Sequence, residues 1–262
     1  MTLAIAGGLL ASNYPADRLY IAEPSAEQRE RLANLLPGVD IRAGNAAIAG
    51  NVDCLVLAIK PQVLADVCRE LAGTIQDRKS LVISIAAGVR VADIDTWLGG
   101  GLSVVRVMPN QPALLRMGAS GLFANPLASD DDRELAASVM AAVGKVVWVD
   151  SEADIDSVTA ISGSGPAYFF LLIDMLAKTA VEMGLGETAG RELAVQTALG
   201  AAAMAEQTED DMDDLIARVR SPGGTTAAAL DSLDAQNVRA IFSAAMTAAR
   251  DRAGQLADEA GN

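Results

Sequence analysis

Strand signals run through the first part of this chain and stop near Asp150, and that asymmetry restricts the fold more than any single motif. From Leu19 onward, short apolar runs alternate with helical stretches. Leu19–Ala22 reads as a strand, Ser25–Leu36 as a helix with Ser25 as N-cap, and Asp40–Arg42 as a weak strand. Cys54–Ile59 is a wholly apolar, buried strand, followed by a helix through Val63–Leu71. Leu81–Ile85 and Leu102–Val107 repeat the strand signal on either side of a helical Val91–Leu98. Leu122–Ala124, a helix over Asp131–Val143 and a strand over Lys145–Val149 complete the series. Strands spaced by helices imply right-handed crossovers and a largely parallel, doubly wound α/β sheet of the Rossmann type.

Beyond Asp150 the pattern is helical throughout: Ile155–Met183, Thr188–Gln207, Asp210–Arg218, Thr226–Leu233 and Gln236–Ala257. Tyr168–Leu176 is apolar nearly all round, which predicts burial on every side. Gly184 and Gly186 end that helix. In the last helix Val238, Ile241, Phe242, Ala245, Ala249 and Leu256 keep helical spacing. A helical half this rich in Ala and Leu predicts association with a second chain. The acidic run from Glu209 to Asp214 suits a solvated helix start.

Composition narrows the chemistry. Hydrophobic residues make up 51% and aromatics only 3%, so the core is built from Ala, Val, Leu, Ile and Met. A net charge of -14 argues against nucleic acid and anionic membranes, and leaves any anionic substrate to be held by local dipoles. Cys54 and Cys68 read as buried free thiols of a reducing, cytoplasmic protein. The absence of histidine excludes Ser-His-Asp triads and histidine metal sites, and no cysteine or carboxylate spacing suggests a metal. No run reads as long enough to span a membrane. Leu3–Ala11 resembles a signal core but has no Lys or Arg before it, the first being Arg18.

Several segments lie where ligands bind in such sheets, beyond the carboxyl ends of strands. Ala58-Ile59-Lys60-Pro61-Gln62 leaves one strand with a cation and a proline, although Lys60 reads equally as a surface lysine. Ala86-Ala87-Gly88 leaves the next with small residues that admit a planar ligand. Met108-Pro109-Asn110-Gln111-Pro112-Ala113 leaves a third. Ser162-Gly163-Ser164-Gly165-Pro166-Ala167-Tyr168 interrupts or tightens the start of the long helix. Its glycines either allow close packing of backbones or shape a cleft between the two halves.

The segment from Arg218 to Thr226 carries the most chemistry. Pro222 stops one helix, Gly223 and Gly224 bare the backbone, and Thr225 and Thr226 open the next. Unpaired N–H groups at a helix N-terminus make a site for a carboxylate or phosphate. A tight helix–helix turn with Thr as N-cap accounts for the same residues.

Taken in order, Ala58-Ile59-Lys60-Pro61-Gln62, Met108-Pro109-Asn110, Ser162–Tyr168 and Ser221-Pro222-Gly223-Gly224-Thr225-Thr226 resemble the pyrroline-5-carboxylate reductase family over almost the whole chain. The resemblance implies a Rossmann domain for NADPH or NADH over 1–150 and a helical substrate-binding and dimerisation domain over 151–262. It implies an oxidoreductase of proline biosynthesis, a homodimer or ring of dimers, reducing 1-pyrroline-5-carboxylate to L-proline. By resemblance, Gly223, Gly224 and Thr225 with the Ser221 hydroxyl hold the substrate carboxylate, and Thr226 bonds the ring nitrogen. Asn45, Ala58, Lys60, Pro61, Ala87 and Asn110 line the dinucleotide. Glu23, at a strand end, takes the ribose hydroxyls and favours NADH, an effect that Gln28 and Arg29 soften.

The chain departs from the family at its start. Met1–Ser12 reads as the helix that follows the family's first strand and glycine-rich turn, so an N-terminally truncated sequence is expected. Without that central strand, its neighbours should have unpaired backbone. Two rivals follow. A hydroxyacid dehydrogenase shares the two-domain plan but needs a lysine where Phe169 stands. A non-catalytic interaction protein would keep the fold without binding cofactor.

Overall fold

The structure is a computed structural model describing residues 1–260. It contains two compact units: Met1–Ser164 together with the residues from Ala249 onward, and Gly165–Ala248.

The first unit alternates helices with strands. In order these are α1 (Thr2–Ala11), β1 (Tyr20–Ala22), α2 (Ala26–Leu35), β2 (Asp40–Arg42), α3 (Ala46–Ala49), β3 (Cys54–Leu57) and α4 (Pro61–Arg78). There follow β4 (Leu81–Ser84), α5 (Val91–Trp97), β5 (Val104–Met108), β6 (Gly118–Ala124), α6 (Asp130–Ala141), β7 (Gly144–Trp148) and α7 (Asp154–Val158). Local chemistry sets the boundaries. Ser25 caps α2 by accepting from Gln28 N–H, and Pro61 occupies the first turn of α4. Ser129 and Asp132 form a reciprocal capping box on α6.

Strands β3, β4 and β5 run parallel in adjacent positions, with Leu55 opposite Val82 and Ile83 opposite Val105. All four residues of β4 are buried, as expected for a strand with both faces covered. Antiparallel β6 then pairs with β5, and β7 runs parallel to β6. The Rossmann-type sheet stands. Strand β6 reaches back to Gly118, beyond the expected Leu122–Ala124, because two glycines dilute its apolar signal. Gly121 is dictated by packing: an added Cβ would lie 2.6 Å from the methyls of Val158 on α7.

Parallel strands β1 and β2 form a separate two-stranded sheet. Between β1 and β3 lies a cavity of about 610 Å3, covered by Ile5, Ala6 and Leu9 of α1 and by Val67 and Leu71 of α4. Leu19 and Glu23 bond toward β2, and Asp53 and Leu57 bond toward β4. The alternation of a strand therefore turns the backbone groups of Tyr20, Ala22, Cys54 and Val56 to the cavity. Among the described residues no strand pairs with either edge, as the sequence predicts.

The second unit is all helical: α8 (Gly165–Glu182), α9 (Glu187–Glu206), α10 (Met212–Val219), α11 (Thr225–Ala235) and most of α12 (Val238–Ala260). Helices α8 and α9 pack closely at Gly190, where an added Cβ would meet the Ala177 carbonyl at 3.0 Å.

Two sequence expectations are corrected in the helical region. Tyr168–Leu176 is not buried on every side, since Phe169 and Phe170 are each 60% exposed. The unit's own helices leave one side of α8 uncovered, and an apolar pattern does not specify which chain covers it. The expected lack of any membrane-span-length run is also corrected. Asp154–Glu182 extends over 29 residues, and an 18-residue stretch within it has a mean hydropathy of 1.4, long and apolar enough to cross a membrane by length and composition alone. The Ser, Thr and Gly residues of 157–165 interrupt the run in sequence, while the backbone stays helical through Gly163 and again from Gly165.

Candidate active site

The first unit's candidate residues fall at the carboxyl ends of its parallel strands, where ligands bind in sheets of this type. Glu23 directly follows β1. Its N–H donates to the Arg42 carbonyl at 2.9 Å, and its carboxylate accepts from Ser25 N–H at 2.9 Å. Arg29 is held beside it by donating to the carbonyls of Glu23 and Pro24, at 2.9 and 2.8 Å. Asn45 precedes α3, and Ala58 follows β3; both line the cavity together with Thr2 of α1. Exposed Lys60 is the N-cap residue of α4, and Pro61 is its first residue. Ala87, after β4, is exposed between buried Ala86 and the left-handed Gly88 (φ 72°).

Asn110, after β5, joins two motifs far apart in sequence. Its Nδ2 donates to the Ser162 carbonyl at 3.0 Å, and its Oδ1 accepts from Ala119 N–H at 2.9 Å. The Ser162–Gly163 segment belongs to a π-helical turn over Thr159–Gly163, which widens the helix start and does not tighten it. Gly163 lets Met108 pack closely there, since an added Cβ would lie 2.5 Å from its Cε and oblige that side chain to shift.

Helix α1 supplies a further feature. Its first helical bond is from Ile5 N–H to the Met1 carbonyl, so the N–H groups of Thr2, Leu3 and Ala4 lack helical acceptors. With Thr2 lining the same cavity as Asn45 and Ala58, these donors suit the pyrophosphate of a dinucleotide. Glu23 suits its ribose hydroxyls, and the small Ala87 turn suits its planar rings. The residues present therefore fit a nicotinamide dinucleotide. The cavity wall is chemically quiet, because burial pushes the Cys54 thiol up to about 12. Among the described residues no cluster of His, Cys, Asp or Glu is arranged to hold a metal.

The second unit holds the substrate candidates. A turn over 221–224 is closed by Gly224 N–H donating to the Ser221 carbonyl at 3.0 Å, with Gly223 at φ 69°. That bond occupies the Gly224 N–H, so this group is not available as the expected carboxylate donor. Gly224, not a threonine, is the N-cap of α11, and no side chain caps the helix. The first helical bond is Ala228 N–H to Gly224 O, which leaves the N–H groups of Thr225, Thr226 and Ala227 without helical acceptors. The flanking cations are engaged elsewhere, Arg218 with Asp210 at 2.6 Å and Arg220 with Asp231 at 2.5 Å. Hydrogen bonding from Thr208, then from Arg218, holds the Asp210 carboxyl below its ordinary range. The donors this turn offers to an anion are thus backbone N–H groups and the hydroxyls of Ser221, Thr225 and Thr226.

Arg106, which no sequence motif marks, is buried in β5 and paired with Glu152 and Asp156. Its signal was a lone charge inside an apolar strand.

Known proteins share the sequence and fold of this chain. Residues 152–256 match the family described as pyrroline-5-carboxylate reductase dimerisation, and residues 1–88 match NADP oxidoreductase coenzyme F420-dependent. The pyrroline-5-carboxylate reductase of Pseudomonas aeruginosa is 43% identical over 100% of this chain and 95% of its own length. A solved structure of a pyrroline-5-carboxylate reductase from Coxiella burnetii has a TM-score of 0.94 at 42% identity, covering 97% of this chain and 94% of that one. The Plasmodium falciparum enzyme, solved with NADP bound, has a TM-score of 0.84 at 27% identity, covering 97% and 93%.

Fold and site together define an NADP-binding oxidoreductase with a Rossmann-like domain and a helical dimerisation domain. Identity at this level over the full chain is decisive for the narrower assignment. The chain belongs to the pyrroline-5-carboxylate reductase family.

Proposed function

We propose that this chain reduces 1-pyrroline-5-carboxylate to L-proline, with hydride passing from NAD(P)H to the imine carbon. The observation that carries the reading is the uncapped start of α11, whose three N–H groups stand ready for a carboxylate. Family membership supplies the substrate class.

The bound dinucleotide supplies the hydride. The chain's own residues bind and orient. Backbone N–H of Thr225, with the exposed Gly223 backbone and the Ser221 hydroxyl, holds the substrate carboxylate. The half-buried Thr226 hydroxyl hydrogen-bonds the ring nitrogen and fixes the face of the C=N bond. A protonated imine already carries the charge that draws hydride, so no histidine or lysine acid is needed. Glu23, Asn45, Ala58, Lys60, Pro61, Ala87 and Asn110 form the dinucleotide site. The Glu23 carboxylate favours ribose hydroxyls over a 2′-phosphate, while neighbouring Arg29 moderates that preference. The working form is a cytoplasmic homodimer or ring of dimers, with the apolar faces of the helical unit supplying the contact.

The hydroxyacid dehydrogenase reading has no lysine at Phe169 to support it. Steady-state kinetics of Thr226→Ala test the proposal. Expected is a fall in kcat/KM of roughly 10- to 100-fold, the scale of a lost positioning contact, with the KM for dinucleotide unchanged. Unaltered proline formation would remove Thr226 from the site. An inactive parent chain, both alone and extended upstream by a strand and glycine turn, would instead favour the non-catalytic reading.

A further inference from the structure

Arg106 lies in the middle of β5 with its side chain only 3% exposed. A buried guanidinium is costly unless it is paired and hydrogen-bonded. Its Nη1 lies 3.1 Å from Glu152 Oε1, and its Nη2 lies 3.7 Å from Asp156 Oδ1. That Asp156 oxygen is buried and makes no hydrogen bond, so its only compensation here is ionic.

Glu152 does more than neutralise Arg106. The same Oε1 accepts from Val91 N–H at 2.8 Å, and Val91 is the first residue of α5. The N-cap residue of α5, Arg90, offers no side-chain cap. Glu152 therefore caps this helix from 61 positions away in sequence. Residues 85–90, between β4 and α5, include Ala87. The end of α12 closes over the same loop, with Arg90 bonded to Asp258 at 2.7 Å. An added Cβ on Gly88 would meet Leu256 Cβ at 3.3 Å, and one on Gly254 would meet Asp156 Oδ2 at 3.4 Å.

We propose that Glu152, oriented by Arg106, is a positioning residue for the dinucleotide, fixing the Ala87 loop from within while the last turns of α12 clamp it from outside. The proposal rests on the reading of Ala87 as a dinucleotide contact. Glu152 and Arg106 act through the loop and are not catalytic. A loop that packs against a planar ligand must be held within about half an ångström, and a helix cap tied to a buried ion pair gives that rigidity.

The test is fluorescence titration of the full chain with NADPH and NADH, alongside steady-state kinetics and thermal melts. Glu152→Ala should weaken dinucleotide binding about tenfold while the KM for the imine substrate stays within about twofold. Glu152→Gln keeps an acceptor for Val91 N–H and should recover most of that loss. Arg90→Met, on the partly exposed outer clamp, keeps the assay available should Glu152→Ala fail to fold; it should weaken binding about threefold. Ala87→Val separates the two claims. If it weakens dinucleotide binding while folded Glu152 and Arg90 variants do not, the positioning role is overturned and the site reading survives. If Ala87→Val has no effect, or the parent chain binds neither dinucleotide, the site reading fails and takes this proposal with it.

Discussion

The two units of this chain are equally apolar in sequence but differ in how they use that apolarity. The first buries it in continuous clusters: Leu64, Leu71, Ile75, Val82 and Ile94 on one side of the sheet, and Ile83, Val105, Leu122 and Met140 on the other. Over 165–248 only Gly165, Gly190 and Ala194 are buried, while Phe169, Phe170, Leu171, Met175 and Leu193 are largely exposed. One region completes its core within the chain, and the other presents a core-like face outward. Helical periodicity reports that a face is apolar, but not whose surface covers it.

The largest expected effect tests that contrast directly. Leu171→Asp should abolish self-association in sedimentation experiments and lower proline formation by at least about tenfold, since a charge in an apolar interface core is strongly unfavourable. An unchanged oligomer would break the comparison. Next come paired truncations. Ile83→Ala should cost about 2–5 kcal/mol, a loss of the same size at every protein concentration because assembly is left intact. Leu171→Ala should give a midpoint that rises with protein concentration, because its loss is felt through assembly. Gly8→Ala probes packing in the first unit, since its Cβ would lie 2.5 Å from the Ala142 carbonyl; about 1–3 kcal/mol is expected.

The smallest effect concerns the capping box on α6. Burial pushes the Asp132 carboxyl up, but hydrogen bonds from the Ser129 backbone and hydroxyl, and from Ser103, outweigh it and hold the group below its ordinary 3.8. A carboxylate depressed on folding stabilises the protein above its unfolded pKa and loses that contribution as pH falls through the folded value. Acid titration below about 3.8 should therefore show a stability loss that Asp132→Asn lacks. Ser129→Ala should cost about 1 kcal/mol at neutral pH.

Much of the fold could be read from local pattern because the chemistry was local. Ser25 marks a helix start by its own side chain, and Pro61 and Ser129 do the same for helices whose sequence pattern begins only at Val63 and Asp131. Strand β6 was legible only in part, as Gly121 answers to Val158 and Gly118 to the Val143 carbonyl and Ala113, contacts that no strand pattern states. At the site, the turn at 221–226 announced itself through Pro222 and two glycines. Its internal bond from Gly224 to Ser221, and the uncapped start that follows, needed coordinates. Asn110 and Ser162 each stood in a recognisable motif, yet nothing in a linear sequence states that they touch. The Glu152 cap on α5 is hidden for the same reason, because 61 residues separate donor and acceptor.

The cavity between β1 and β3 has a consequence for the order in which the molecule opens. Amides of Tyr20, Ala22, Cys54 and Val56 have no neighbouring strand on that side, so deuterium should replace their protons through small local fluctuations. Val82, Ile83, Val104 and Val105, deep in the five-stranded sheet, should hold theirs until the whole unit unfolds. The exchange map of this Rossmann-type unit should therefore be lopsided, with its fast edge running through the middle of the layer and not along its rim.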